Sequence, residues 1–216
     1  MARNLCEQCK RPTISCICAF IIETNNKTPV LVLQHPSEVK QSKGTVALLQ
    51  RSLNDCQVLI GEDFTHHTDL NKLLSTHQPI LLYPGESAKV LMSCDRQNNN
   101  STEEKKQPLL IIIDGTWKKA YRMFMLSKNL HSLKQVCLPT QLANNGQYLI
   151  RKVAKKNALS SLEATCYALA LLEGELDETL LSNFSYEKTN KIECGRYKGI
   201  LNKFSQFNQF QLSFRK

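Results

Sequence analysis

The sequence predicts an α/β domain on a mostly parallel sheet with flanking helices, preceded by a small four-cysteine knuckle. Three observations carry this reading. Short β-rich apolar runs alternate with helical patterns between residues 29 and 139. The run PLLIIID at 108–114 stays apolar until its last residue, as a central strand covered on both faces does. Four of the nine cysteines crowd into residues 6–18.

PVLVLQ (29–34) reads as a strand and SEVKQSKGTVALLQRSL (37–53) as a helix. CQVLI (56–60) is a second strand, with a short helix over 69–75. PILLYP (79–84) is a third, followed by a brief helical piece over 86–92. PLLIIID is the fourth, leading into a helix over 117–130, and QVCLP (135–139) is a short fifth. LSSLEATCYALALLEG (159–174) has the spacing of an amphipathic helix ended by Gly174. A last, basic helix is expected over 187–204. DRQNNNSTEEKKQ (95–107) is polar without apolar periodicity and reads as a mobile surface loop. The chain divides into a knuckle at 1–24 and an α/β domain at 25–216.

A chain of 216 residues, 42% hydrophobic and 22% charged, suits one good-sized domain with a real core. No stretch approaches the ~18–20 apolar residues of a membrane span. The start, MARNLCEQCK, lacks the apolar region of a signal peptide, so a cytoplasmic location is expected. There a framework of disulfides is disfavoured. The net charge of +9, from 28 Lys and Arg against 19 Asp and Glu, favours a polyanionic partner, nucleic acid first. Residues 186–216 add to this with seven Lys and Arg against two Glu.

Cys6, Cys9, Cys16 and Cys18 are spaced C-x2-C-x6-C-x-C. Four thiolates are what a closed, tetrahedral, structural zinc site requires, and they leave no position open for catalysis. So short a segment has no core of its own, so metal binding would supply its folding energy.

In open parallel sheets, ligands bind beyond the carboxyl ends of the strands. Asp114 sits at such an end, as do His35 and the Tyr83-Pro84-Gly85 turn. Gly115 allows close backbone approach, Thr116 suits a helix cap, and Trp117 offers a broad face for stacking or for core packing. An aspartate in this place also serves as a turn or cap residue. Further on, Arg151, Lys152, Lys155 and Lys156 concentrate charge before a helix. They suit a carboxylate or phosphates, or a solvated loop. Ser160 and Glu163 fit a capping box.

These pieces together resemble the DTW-domain proteins, the tRNA-uridine aminocarboxypropyltransferases, from Cys6 to about Gly174. The shared features are the cysteine cluster, HPSE at 35–38 with Lys43, Gly44 and Thr45 behind it, and LLYPGE at 81–86. They continue with D-x-T-W at 114–117, Tyr148 with the Arg151-Lys152 pair, and SSLEA at 160–164. Ser161 stands where the family pattern leads one to expect Thr, which keeps a hydroxyl. The polar loop 95–107 looks like an insertion.

The resemblance implies transfer of the 3-amino-3-carboxypropyl group of S-adenosylmethionine to N3 of a tRNA uridine, with methylthioadenosine leaving. It implies a fold similar to the SPOUT class, whose C-terminal part is knotted. Asp114 is expected to take the N3 proton. Leu82, Tyr83, Pro84, Gly85, Thr116, Trp117, Arg151, Ser160 and Glu163 are expected to hold the cofactor. His35, Glu38, Lys43, Lys152, Lys155 and Lys156 are expected on the RNA side. Arg151 or Lys152 would pair with the cofactor carboxylate or with an RNA phosphate. Two alternatives stand beside this reading: a SPOUT-like RNA methyltransferase with the same cofactor, and a non-catalytic zinc-containing RNA-binding module.

Overall fold

The computed structural model describes residues 4–92, 106–143, 146, 159–176 and 193–214. Six strands form one sheet: β1 (Val30–Gln34), β2 (Cys56–Ile60), β3 (Gln78–Leu82), β4 (Lys89–Val90), β5 (Pro108–Asp114) and β6 (Lys134–Cys137). They lie in the order β2-β1-β5-β3-β6-β4, and every pairing is parallel. The helices are α1 (Val46–Ser52), α2 (Thr68–Thr76), α3 (Trp117–Leu126), α4 (Thr140–Ala143), α5 (Ser161–Leu172) and α6 (Lys198–Ser213).

Successive strand residues point to opposite faces, so the apolar runs feed two cores. Val30, Val32, Ile80, Leu110, Ile112 and Val136 pack on the face that carries α1, α5 and α6. Leu31, Leu33, Leu81, Leu109 and Ile111 meet Phe64, Leu70, Met123 and Leu130 on the other, under α2 and α3. Leu110 and Ile111 are both fully buried, which is why that run shows no polar alternation.

Several elements differ from the sequence reading. The helix expected over 37–53 is a 3-10 turn at Pro36–Glu38 and then α1 alone, with Gly44 packed close against the Gln41 carbonyl between them. The piece at 86–92 is the two-residue edge strand β4, with Leu91 buried beyond it. α3 stops at Leu126, where Ser127 turns inward and its hydroxyl accepts from the Phe64 amide at 3.0 Å. α5 is buried all round rather than amphipathic, because α1, α6 and the sheet enclose it. Gly174, at φ +70°, ends it as expected. The final helix starts at Lys198 and runs to Ser213; residues 187–192 lie outside the described residues. So do most of the loop 95–107 and the segment 147–158.

The cysteine knuckle is seated on the α1 face. Leu5 and Pro12 bridge, Lys10 takes a positive φ of 57°, and the Lys10 amide donates to the Cys6 carbonyl at 2.9 Å. Ile17 is buried in the main core, and Phe20 packs on Phe207 and Phe210 of α6. Arg11 donates to the Ser42 carbonyl at 2.9 Å, and Arg51 to that of Gln8 at 2.8 Å. These bonds fix the knuckle to the loop after β1 and to α1. Among the described residues, no helix is long and apolar enough to cross a membrane.

Candidate active site

The chain leaves β1 toward β2 on one side of the sheet and leaves β5 toward β6 on the other. β1 and β5 are neighbours, so their carboxyl ends flank the point where the winding reverses, and a crevice opens there. Asp114 ends β5 in register with Gln34, the last residue of β1. Asp114 is 9% exposed. Gln34 Nε2 donates to its Oδ2 at 3.0 Å, and Ser161 Oγ donates to its Oδ1 at 2.5 Å. Ser161 is the first residue of α5, so the carboxylate lies at that helix's amino end, where the peptide dipoles favour negative charge. Two lone-pair positions of the carboxylate remain for another donor. Neither Gln34 nor Ser161 as a partner of Asp114 was visible in the sequence.

The turn after β1 is held by a chain of polar contacts. The His35 amide donates to the Asp114 carbonyl at 3.0 Å. His35 Nδ1 accepts from the Ser37 amide at 3.1 Å, and its Nε2 lies 3.2 Å from Glu62 Oε1. Glu62 also meets Arg122 at 3.3 Å. Lys119 donates to Ser37 Oγ at 2.6 Å and to Glu38 Oε1 at 2.9 Å, and Glu38 is buried. His35 and Glu38 thus bind the β1 turn to α3. Lys119, which sequence reading passed over, is the cation that joins them; its one signal was its place two residues after Trp117. Lys43 stands half-buried in the loop before α1.

A Cβ on Gly115 would come within 3.1 Å of Lys119 Cβ, so glycine lets the β5–α3 corner close. Thr116 caps α3, its hydroxyl accepting from the Lys119 amide at 3.4 Å. Trp117 is 57% exposed, which removes the option of a core residue. Leu82 packs at the edge of the main core, Pro84 is exposed, and Gly85 sits against Gln135, where a Cβ would collide. Tyr83 stacks on Phe124 with centroids 4.7 Å apart. Burial, together with the neighbouring Tyr121, pushes its phenol upward. At α5, Ser160 and Glu163 form the capping box: Ser160 Oγ accepts from the Glu163 amide at 3.2 Å, and Glu163 Oε2 accepts from the Ser160 amide at 2.8 Å. This fixes the helix end that presents Ser161. Tyr148, Arg151, Lys152, Lys155 and Lys156 lie outside the described residues.

Residues 3–212 match the DTW domain. The chain belongs to the DTW-domain family. It is 35% identical over 188 residues to tRNA-uridine aminocarboxypropyltransferase 2 of Drosophila melanogaster, covering 83% of this chain and 71% of the relative. It is 34% identical over 187 residues to the protein of the same name from Macaca fascicularis, covering 83% of this chain and 60% of the relative. The tRNA-uridine aminocarboxypropyltransferase A of Arabidopsis thaliana is 28% identical over 200 residues, 82% of this chain and 75% of the relative. No solved structure matches the chain. The DTW signature at 114–117 therefore names the corner at which β5 delivers its carboxylate and α3 begins.

The DTW domain's four cysteines form a second centre. All their sulfurs lie within 4.8 Å of one another, with Cys6–Cys18 at 3.7 Å and Cys9–Cys16 at 3.8 Å. Sulfurs about 2.3 Å from one zinc stand about 3.8 Å apart along a tetrahedral edge, so the donor set fits that ion. Burial raises the Cys9 thiol, but hydrogen bonds from the Ile17 and Arg11 backbone and from Cys6 and Cys16 outweigh it and bring it down to about 6. Burial and the neighbouring thiols push Cys18 up to about 12.

Proposed function

We propose that this chain transfers the 3-amino-3-carboxypropyl group of S-adenosylmethionine to N3 of a uridine in tRNA. The observation that carries this reading is the Asp114 carboxylate, held between Gln34 and Ser161 at the winding reversal of a sheet whose relatives bear the name of that reaction. Residues 25–216 form the catalytic domain, residues 1–24 hold a structural zinc through Cys6, Cys9, Cys16 and Cys18, and the reaction takes place in the cytoplasm.

Uridine N3 carries a proton and is a poor nucleophile until it is lost. Asp114 accepts that proton as N3 attacks the methylene next to the sulfonium. A C–N bond forms, the C–S bond breaks, and its electron pair stays on sulfur as neutral methylthioadenosine. The proton then passes from Asp114 to water. The same donor carries a methyl group, so the product depends on which carbon the site aligns with N3. Leu82, Tyr83, Pro84 and Gly85 form the wall for the adenosine. Thr116, Trp117 and the capped end of α5 at Ser160 and Glu163 border the reacting carbon. His35 and Lys43 border the RNA, while buried Glu38, expected there too, holds the turn through Lys119 instead. The cations at 151, 152, 155 and 156 are assigned by their charge alone to the donor carboxylate or an RNA phosphate.

Donor labelled separately in the methyl and in the carboxyl carbon tests the reaction. Only carboxyl label is expected to enter tRNA; methyl label in RNA would establish the methyltransferase instead. Ser161 gives a second test. Ser161→Ala removes a charge-assisted hydrogen bond, a loss of about 1.5–3 kcal/mol from the placement of the base. Transfer is expected to fall on the order of tenfold or more. Ser161→Thr, which keeps the hydroxyl, is expected to stay close to the parent. Equal rates for the Ala and Thr variants would remove Ser161 from the site.

A further inference from the structure

We infer that the outer face of α3 is a stacking track for single-stranded nucleotides of the tRNA flanking the target uridine, an inference that rests on the transferase reading. A helix lying on a sheet ordinarily turns polar residues outward. α3 buries Ala120 and Met123, yet its opposite face carries Trp117 at 57%, Tyr121 at 58% and Met125 at 49% exposure. These are spaced four apart, one above the other on consecutive turns. Beside them run Lys118 and Arg122, both exposed, and the helix WKKAYRMFML contains no acidic residue.

Aromatic faces interleaved with cations are how single-stranded nucleic acid is held: bases stack on the rings and phosphates meet the charges. An apolar protein partner would have no use for exposed Lys118, or for Arg122, which is 70% exposed even while its Nε meets Glu62, and the chain's net charge of +9 has the same sign. The track also starts in the right place. Trp117 is three residues beyond Asp114, at the lip of the crevice. From Trp117 to Met125 the helix rises about 12 Å. That is the length of roughly three stacked nucleotides at about 3.4 Å each. A uridine turned into the crevice would thus leave its neighbours on one side lying along Trp117, Tyr121 and Met125. Tyr83, next to Tyr121 and stacked on Phe124, widens the aromatic surface beside it.

The test is direct binding of tRNA from cells lacking this chain, measured by fluorescence anisotropy on protein carrying Asp114→Asn. The donor is left out of this assay, so no turnover can occur and the result does not depend on the chemistry assigned to Asp114. Tyr121→Ala and Met125→Ala in that background are expected each to weaken binding on the order of tenfold. Tyr121→Phe is expected to retain it. Lys118→Ala is expected to lower the slope of log affinity against log salt by about one, while Tyr121→Ala leaves the slope unchanged. Unchanged affinity after Tyr121→Ala overturns the inference while leaving the transferase reading intact. It is also overturned if Tyr121→Ala lowers the melting temperature as a core substitution would, or if sedimentation shows a dimer that Tyr121→Ala separates without loss of tRNA binding. Loss of binding in Tyr121→Ala, with no carboxyl label entering RNA on the parent protein, would sink the transferase reading and leave a tRNA-binding face without its target uridine.

Discussion

Asp114→Asn is expected to abolish transfer to tRNA while the protein remains folded. The substitution keeps the side chain's volume. Its amide oxygen accepts from Ser161 or Gln34 as the carboxylate did. The new NH2 group finds an acceptor once the Gln34 amide turns over or the Ser161 hydroxyl rotates. What is lost is the ability to take a proton from N3, an effect typically of about 10²–10⁴-fold. The measurement is initial rate with excess tRNA, paired with a thermal melt and a binding titration of the donor. Asp114→Leu serves as the contrast. It strands the buried Gln34 amide, which costs about 1–3 kcal/mol, so it lowers stability as well as rate. Near-parental turnover by the Asn variant would mean that another group takes the proton.

Chelator is expected to loosen the knuckle and expose the apolar residues it delivers. Four free thiols whose sulfurs lie within 4.8 Å of one another form a donor set that one ion would tie together. The knuckle carries Ile17 into the core and Phe20 onto α6. Burying Ile17 alone is worth about 1.5–3 kcal/mol. At about 2–4 °C per kcal/mol for a chain of this size, chelation is expected to lower Tm by roughly 3–12 °C. Cys9→Ser should do the same without chelator, and metal analysis should return one zinc per chain. A melt indifferent to chelator, with no metal in the purified protein, would remove the site.

The strands were legible because a covered parallel sheet demands unbroken apolar runs, and VLVL and LLIII have no other use. The aspartate was legible because it breaks such a run at its carboxyl end. Its partners were not. Gln34 and Ser161 stand 80 and 47 residues away in sequence, and only the register of β1 against β5 and the docking of α5 bring them to the carboxylate. The helix read over 37–53 was too long for a related reason. Its first part is polar and helix-compatible, but Glu38 is drawn into the fold by Lys119 of α3, and Gly44 closes a turn. The small edge strand β4 carried no pattern of its own and exists because β6 offers it a free edge.

Phe20 and Phe207 touch although 187 residues separate them in sequence (207 minus 20). During synthesis the four cysteines emerge well before α6. The loop can meet α1 early, but the part of its seat that Phe20 packs on appears only when α6 leaves the ribosome. That contact is a long-range closure, and loop-closure entropy opposes it until the helix docks.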